Sequence, residues 1–538
     1  MSRSQLVPMR APLVLRSTVF SCAALTAVVF ALYGPSFRYS FQLYDDNAYV
    51  TDNSFVRGGL TATSVAWAFR DDGPERRIEW HPLTMISHML DVQLWGMRSG
   101  FHHLTNVFFH ALNTCLLFLF LKRETEESGK AWLTAALFAL HPINVESVAW
   151  IAERKNLLSM CFWLLTLISY GSYLRRPTRL RYSVAFGWYV LGWLSKPIMA
   201  VLPMILMLLD FWPWKRWTAG QEQGETLREL AAEKWPFFAL AIPLGAWACF
   251  VQQHVGTLKQ GVPFSWSSQW TPALVAFALS PFKMLWPTRL TFFYPLTGLT
   301  LPLTQWGPSL LLVVAVSWLA LRIRRSAPYF FVGWAWYIIT YLPASGLLMQ
   351  IGLYSHEDHL LYLPMVGLLI CLVWSISKFM TLARAPSGFR TATSAAVLVI
   401  VVLLSRRQLN YWDDSVSLLR HEWDVIGNPS LNPRARNNLC GLYMFHADHW
   451  AEEQRLIEAA EGYQHALWLE PGNVYLALKL TGLEVRLGQV EQAQRTVATT
   501  LQWHPDNARL LKAQDYLRAH YRGQHRSRTT EARPNAVN

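Results

Sequence analysis

The sequence predicts an all-α fold in which a polytopic bundle of membrane-spanning helices is followed by a polar, repeated helical region. Hydrophobic residues make up 52% of the 538 residues and charged residues only 15%, a balance too apolar for a soluble enzyme. The apolar residues form long segments up to Ser405, and the polar chain after it contains no segment able to cross a bilayer. These observations predict an integral membrane protein with a C-terminal domain outside the bilayer.

About eleven segments are apolar and long enough to be candidate spans. The first has a longer apolar stretch than a signal peptide and no small-residue cleavage site, so we interpret it as a retained span. Residues 271–287 are short and bounded by prolines, and they are interfacial, re-entrant or a further span. The candidates are 16–37, 102–121, 131–143, 156–174, 182–195, 197–213, 235–253, 305–322, 329–348, 360–378 and 391–405.

Clusters of positive charge predict the orientation of these spans. Cytoplasmic loops carry an excess of Lys and Arg, and the basic clusters are 121–130, 174–181, 214–217 and 322–325. All four basic clusters fall on the cytoplasmic side only if residues 271–287 do not cross the membrane. The N-terminus is then cytoplasmic, and the loop 38–101 and the C-terminal region are exoplasmic. Because the net charge of +13 lies in short clusters, not along one face, no nucleic-acid partner is predicted.

The region after the last span repeats with a period of 34 residues. Pro471 and Pro505 are 34 residues apart, as are Asn473 and Asn507, and this is the tetratricopeptide period of paired helices. The sequence therefore predicts three domains: a membrane domain (1–408), an exoplasmic repeat domain (409–522) and a tail, 523–538, that is disordered because it has almost no apolar content.

Two adjacent acids, Asp45 and Asp46, follow the first span, and they are either the cap of a turn or part of a site. Downstream histidines lie in the same predicted exoplasmic layer: His81, His88, His102, His103 and His110. His103 and Asn106 share one helix face with His110 and Asn113, so the second span carries a polar stripe. This stripe faces protein or a cavity, and interhelical hydrogen bonding is its simplest explanation. No metal is predicted, because no histidine pair with an acid at zinc-site spacing occurs.

A second charged group follows the third predicted span. His141 begins the exoplasmic turn, Glu146 and Glu153 share a helical face, and Arg154 and Lys155 follow at once. Lys196 also lies at an exoplasmic helix junction. An internal ion pair without function is one explanation. A second explanation is an anionic partner such as a lipid phosphate. It is favoured because short exoplasmic loops normally lack cations, and these loops retain them.

Together these groups are suited to transfer from a lipid-linked phosphate. An aspartate could take the proton of an acceptor hydroxyl as the hydroxyl attacks an anomeric carbon. Arg154, Lys155 or Lys196 could stabilise the charge that develops on the departing phosphate, and His103 could position the acceptor.

Several motifs resemble those of bacterial relatives of the TMTC-type protein O-mannosyltransferases, which belong to the GT-C glycosyltransferases. The motifs are "YDDNAYVTDN", "WHPLT", "HHLTN", "HALN", "HPINVESVAWIAERK", "KPIMAVLPMILMLLDFWP" and "YLPASGLL", followed by tetratricopeptide repeats. The resemblance implies a multispanning enzyme that uses polyprenyl-phosphate sugars on the exoplasmic side.

Carried over by position, the resemblance places the general base at Asp45 or Asp46 without choosing between them. It assigns His141, Glu146, Glu153, Arg154 and Lys155 to one motif, and Lys196 to another. Relatives commonly read "ADRYTYLP" before a late span, whereas this chain reads "HEDHLLYLP" with His359 at the usual arginine position. If that position contacts the donor phosphate, donor binding differs here, because histidine is only partly charged at neutral pH.

The predicted function is therefore a hexosyl or pentosyl transferase of the bacterial inner membrane. Its donor is a polyprenyl-phosphate sugar, with no other cofactor predicted and a divalent metal left open. The repeats would engage a protein acceptor, such as Ser or Thr of a secreted or pilus protein. One alternative is a GT-C transferase that modifies a glycan, lipid or cell-wall polymer. Another is a non-enzymatic membrane scaffold whose repeats organise an envelope complex.

Overall fold

A computed structural model of the protein describes most of the chain, and every regular element in it is helical. The described residues are 11–70, 80–217, 226–254, 266–292, 294, 301–347, 357–426 and 433–521. The predicted all-α class is thereby confirmed over these ranges. The tail 523–538, predicted to be disordered, lies outside them, as do residues 71–79 of the predicted first loop.

The chain forms two compact units. The first comprises Met1–Tyr294 and Leu299–Asn428, and the second comprises Pro295–Gly298 and Pro429–Asn538. The first unit thus includes residues 409–428, which the sequence pattern grouped with the repeats. Its helices are α1 (Ala11–Tyr33), α2 (Ser54–Arg57), α3 (Ala62–Phe69), α4 (Pro82–Trp95), α5 (Ser99–Thr125), α6 (Ser128–Leu140), α7 (Asn144–Ala149), α8 (Arg154–Arg175), α9 (Arg179–Trp193), α10 (Leu202–Phe211), α11 (Leu227–Glu233), α12 (Trp235–His254), α13 (Trp266–Leu285), α14 (Leu303–Arg322), α15 (Pro328–Tyr341), α16 (Pro364–Leu382), α17 (Ser387–Leu409) and α18 (Ser415–Ile426).

Six helical segments among the described residues are long and apolar enough to cross a membrane. They are Ser17–Arg38, Ser99–Thr125, Ile151–Arg175, Leu303–Arg322, Pro364–Leu382 and Ser387–Trp412. Two shorter apolar helices, Pro197–Phe211 and Trp235–Ala248, coincide with further predicted spans. Residues 271–287 lie largely in α13, which is not among the six. The protein is a multi-pass membrane protein, and the count of eleven spans stays a prediction.

Helices α15 and α16 pack closely through two glycines. A Cβ added to Gly333 would lie 2.4 Å from the carbonyl oxygen of Gly367, and one added to Gly367 would lie 2.3 Å from that of Gly333. Small residues at such a crossing let two backbones approach, which is how helices in a bilayer commonly gain packing energy. The crossing holds α16 against α15, and α16 directly follows the segment that carries Glu357 and His359.

The predicted first exoplasmic loop is itself folded. After α1 the chain forms a five-residue π-helical turn, Asn47–Thr51, and then the short helices α2 and α3. Helix α4 begins with Pro82 at its first position, where a missing N–H costs nothing. This loop holds Asp46 against the turn before α8.

The second unit is an array of helices: α19 (Pro433–Glu452), α20 (Leu456–Leu469), α21 (Val474–Arg486), α22 (Val490–Leu501) and α23 (Ala508–Tyr521). The predicted 34-residue period appears in the N-terminal caps of α21 and α23. Asn473 Oδ1 accepts from the N–H of Leu476 at 3.1 Å, and Asn507 Oδ1 accepts from that of Leu510 at 3.3 Å. Helices α21 and α23 are therefore capped by the same type of side chain at equivalent positions.

Candidate active site

Asp46 is a buried structural acid. Its side chain has no solvent exposure, and it accepts hydrogen bonds from the N–H groups of Gln42 and Ala152, each at 2.8 Å. Burial raises its pKa to about 8, although the two N–H donors act in the opposite direction. Asp46 thus ties the first loop to the turn before α8, and a substrate has no access to it.

Asp45 differs from its neighbour in conformation and in exposure. Its backbone has a φ of 60°, in the left-handed region that few residues other than glycine adopt, and its carbonyl accepts from the N–H of Tyr49 at 2.8 Å. The side chain is half-buried. Such backbone strain persists where the surrounding structure enforces it, often at functional sites. Of the two acids, Asp45 is the one that can meet a substrate.

Five of the predicted residues meet a sixth, Glu357, that the sequence did not single out. We call the group the acid–base cluster: Glu146, Glu153, Lys155, Lys196, Glu357 and His359. The imidazole of His359 contacts all three carboxyl groups of the cluster. Its Nδ1 lies 2.5 Å from Glu146 Oε1, and its Nε2 lies 3.4 Å from Glu357 Oε2 and 3.9 Å from Glu153 Oε1. The "HPINVESVAW" turn and the "HEDHLLYLP" segment therefore meet at this imidazole.

Two lysines of the cluster share one carboxylate. Lys155 Nζ lies 3.0 Å from Glu153 Oε1, and Lys196 Nζ lies 3.8 Å from Glu153 Oε2. Lys196 also donates to Asn156 Oδ1 at 2.6 Å, and its side chain is 17% exposed. Glu153 thus holds two ammonium groups close together, and paired cations of this kind are the chemistry that binds an anionic group.

Two carboxyl groups of the cluster have strongly raised pKa values. Burial, then the charges of Glu153 and Asp45, raises the pKa of Glu357 to about 8. Burial, then the charges of Asp358 and Glu357, raises the pKa of Glu146 well above its usual range. The charge of Asp45 is one cause of the raised pKa of Glu357, so Asp45 lies within electrostatic range of the cluster.

Arg154 lies apart from the cluster, although it is the neighbour of Lys155 in sequence. Its fully buried guanidinium donates to Ser87 Oγ at 2.9 Å, to Asp91 Oδ2 at 2.8 Å and to the carbonyl of His102 at 2.8 Å, and its Nε donates to Asn106 Oδ1. The predicted contact of Arg154 with a donor phosphate is untested, and this geometry favours a structural role.

The remaining predicted residues are buried and hydrogen-bonded within the fold. His103 Nε2 lies 3.3 Å from the carbonyl of Ser40, and His81 Nδ1 lies 3.4 Å from Tyr49 Oη. His141 Nε2 lies 2.8 Å from the carbonyl of Met284. Asn106 donates to the carbonyls of Val148 and Trp150 at 3.3 and 2.9 Å. These contacts agree with the structural explanation of the polar stripe, and the substrate-positioning roles stay predictions.

Sequence reasoning missed a second pair beside the cluster. Lys283 Nζ lies 3.0 Å from Asp358 Oδ1, and Tyr294 donates to Asp358 Oδ2 at 2.9 Å. Asp358 and Glu357 stand in the "HEDH" stretch, whose only distinguishing feature in the sequence is the absence of the usual arginine. Lys283 falls in the ambiguous segment 271–287, where a lysine among apolar residues was the available signal.

Comparison with known proteins agrees with this organisation. The tetratricopeptide repeat family matches residues 451–515. Protein O-mannosyl-transferase TMTC1 of Homo sapiens is 24% identical over 501 residues, covering 84% of this chain and 55% of that relative. Protein O-mannosyl-transferase Tmtc2 of Drosophila melanogaster is 27% identical, covering 59% of this chain and 34% of the relative. The predicted resemblance to the TMTC-type proteins is confirmed, with the chain spanning about half the length of the human relative.

Among solved structures, the chain is similar to ArnT from Cupriavidus metallidurans bound to undecaprenyl phosphate. The TM-score is 0.36 and the identity 13%, with 78% of this chain and 80% of that chain covered.

Proposed function

We propose that this chain is a membrane glycosyltransferase that moves one sugar from a polyprenyl-phosphate carrier to a Ser or Thr hydroxyl of an exoplasmic protein. The similarity to proteins named O-mannosyl-transferases supports the reaction class. One observation carries the proposal. A half-buried Asp45 on a strained turn lies within electrostatic range of Glu357, in a cluster where Lys155 and Lys196 share Glu153.

Asp45 is the general base in this proposal. Its carboxylate takes the proton of the acceptor hydroxyl while the hydroxyl oxygen forms a bond to the anomeric carbon. The bond from that carbon to the phosphate oxygen breaks, and its electron pair stays on the phosphate. The products are a glycosylated hydroxyl, a protonated Asp45 and a polyprenyl phosphate. Direct displacement of this kind inverts the anomeric carbon.

Lys155 and Lys196 stabilise the departing phosphate. A sugar phosphodiester carries one negative charge, and the released phosphate monoester carries up to two, so negative charge grows at the leaving oxygen as the bond breaks. Ammonium groups fixed by Glu153 are already in place to meet it and need no reorganisation during the reaction. His359 stands beside them and adds a cation when it is protonated.

The repeat unit would hold the acceptor. Helical arrays present concave surfaces to partners, and the end of this one has an open cavity of about 380 Å³. Apolar side chains and two cations line it, including Leu478, Val485, Arg509, Lys512 and Tyr516. We place the unit and the first loop outside a bacterial inner membrane, where secreted proteins emerge.

Donor and acceptor can be tested in one assay. The purified full chain is incubated with a panel of radiolabelled polyprenyl-phosphate sugars and with membrane and secreted fractions. We expect label on protein that mild β-elimination releases, and a lower rate at limiting donor for Lys196→Met. Label confined to lipid or polymer extracts would overturn the acceptor assignment and favour the cell-wall alternative. If the folded wild-type chain consumes no donor, the transferase proposal is wrong and the scaffold alternative gains.

A further inference from the structure

Three side chains from two helices form a second polar cluster outside the proposed transfer site. His88 and Asp91 lie on α4 and His102 lies on α5, and one nitrogen or oxygen atom from each falls within 4.8 Å of the others. Their exposures are 0%, 3% and 0%. We call these residues the His–Asp–His cluster. It takes no part in the proposed transfer, and the inference below does not depend on that function.

The local sequence brings the three together. His88 and Asp91 are three residues apart on one helix, so their side chains project from the same face. Helix α4 ends at Trp95 and is followed by Gly96, whose φ of 63° suits a glycine. Because α5 begins at Ser99, the chain turns back at once. His102, in the first turn of α5, therefore returns to the face that carries the other two.

The hydrogen bonding of His102 leaves one ring nitrogen available. Its Nε2 lies 3.1 Å from the carbonyl oxygen of Gly96, which can only accept, so Nε2 carries the proton. Nδ1 then has a free lone pair, lies 3.6 Å from Asp91 Oδ2 and has no hydrogen-bond partner in the described part of the chain. A carbonyl that fixes the tautomer through the second nitrogen is the usual support of a metal-bound histidine.

His88 gives the second, independent observation. It is fully buried, and within the described ranges neither Nδ1 nor Nε2 has a hydrogen-bond partner. Leaving such a group unpaired costs roughly 1–3 kcal/mol, so a buried imidazole with two unpaired nitrogens calls for an explanation. Coordination of a metal ion would explain the unpaired nitrogens of His88, and it would also use the free lone pair of His102.

Asp91 is supported in the same way. Its Oδ1 accepts from Thr105 Oγ1 at 2.9 Å, and its Oδ2 accepts from Arg154 Nη2 at 2.8 Å. Arg154 also donates to Ser87 and to the carbonyl of His102, so it keeps partners if Asp91 Oδ2 turns toward an ion. Ligating carboxylates are themselves commonly held by hydrogen bonds from the protein.

We propose that the His–Asp–His cluster is a structural site for a first-row transition metal ion, with Zn²⁺ the best match to its ligands. Two imidazoles and one carboxylate suit zinc, whereas Mg²⁺ and Ca²⁺ require oxygen ligands. Metal–ligand bonds of about 2.0–2.2 Å set tetrahedral ligands about 3.4 Å apart, a distance reached from 4.8 Å by small side-chain rotations. A water or hydroxide takes the fourth position, and hydroxide offsets the positive charge beside Arg154.

Such an ion would join α4 to the start of α5 and, through Arg154, to the start of α8. It would thereby stiffen the support of the first loop without touching a substrate.

Metal content and stability test the proposal together. The untagged full chain is purified in detergent, stripped with a chelator, re-equilibrated with Zn²⁺ and desalted, and its zinc is measured by mass spectrometry. We expect one zinc per chain in the wild type and none at this site in His88→Leu. Co²⁺ substitution should give visible absorption typical of a tetrahedral site only where the cluster is intact.

His110→Leu is the matched control. His110 lies on α5 and is fully buried, but Tyr362 Oη and the carbonyl of Ala139 satisfy its nitrogens at 2.8 and 3.0 Å. We expect this variant to lose stability and to keep its zinc. If His88→Leu does not fold, Thr105→Val removes only the support of Asp91, and zinc affinity should fall about tenfold or more.

The direction in which the melting temperature changes distinguishes a metal site from a cluster that binds no ion. If no ion binds, His88→Leu removes a buried imidazole that has no hydrogen-bond partner among the described residues, and it raises the melting temperature whether or not zinc is present. In our proposal zinc raises the melting temperature of the wild type and leaves that of His88→Leu unchanged. A wild type that binds no more Zn²⁺ or Co²⁺ than His88→Leu would overturn the proposal, and the cluster would then be the Asp91–Arg154 ion pair with neutral imidazoles.

Discussion

Replacing each of the two adjacent aspartates by asparagine should have opposite consequences for stability and for activity. Asp46→Asn is expected to destabilise the protein, because asparagine keeps one acceptor oxygen and replaces the other by an NH₂ group. Asp46 accepts from two buried backbone N–H groups, those of Gln42 and Ala152. One of these donors would then face an amide that cannot accept, whether or not the native carboxyl is protonated.

The size of the effect follows from that lost acceptor. A buried donor left without a partner costs about 1–3 kcal/mol, so we expect Asp46→Asn to lower the free energy of unfolding by that amount. Asp45→Asn should change it by less than about 0.5 kcal/mol. Asparagine tolerates the left-handed backbone of residue 45 as well as aspartate does, and that side chain is only half-buried.

The assay is denaturant or thermal unfolding in detergent, followed by the fluorescence of the 26 tryptophans. Both variants carry the same chemical change at neighbouring positions, so each controls for the other. Equal losses of stability, or a greater loss for Asp45→Asn, would refute the division of roles between the two acids.

Three further predictions concern the cluster and the helix packing. His359→Arg supplies a permanent cation, so the KM for the donor should fall at pH 8, and an unchanged KM would place residue 359 away from the phosphate. Glu357→Gln should flatten the dependence of the melting temperature on pH. Because the folded state raises the pKa of Glu357 from 4.5 to about 8, its stabilisation is complete below pH 4.5 and is lost as the pH rises to 8, at up to about 1.4 kcal/mol per unit in the wild type. Equal slopes would contradict this assignment. Gly367→Ala should cost about 1–3 kcal/mol of stability, because its methyl group would meet Gly333, and an unchanged melting temperature would argue against that crossing.

Features with a local cause were predictable from the sequence. The polar stripe on α5 follows from helical periodicity, and the 34-residue period placed Asn473 and Asn507 at equivalent helix starts. Apolar length alone indicated the helices able to cross a bilayer.

Features that depend on distant contacts were not predictable. Arg154 and Lys155 are neighbours on α8 and point about 100° apart, so one meets Asp91 and the other meets Glu153. Nothing near Asp46 in the sequence reveals that Ala152, 106 residues later in the chain, donates to it. Glu357 joins the cluster only because its segment packs on the turn that holds Glu146.

The rate of sugar transfer by Asp45→Asn tests the central claim most directly. The measurement uses a donor that the wild type consumes, at saturating concentration, with Asp46→Asn in parallel and rates expressed per folded molecule. We predict that Asp45→Asn loses about 10²–10⁴ of the wild-type rate, the usual contribution of a general base, whereas Asp46→Asn stays within about tenfold of it. A folded Asp45→Asn variant that transfers sugar at the wild-type rate would contradict the account.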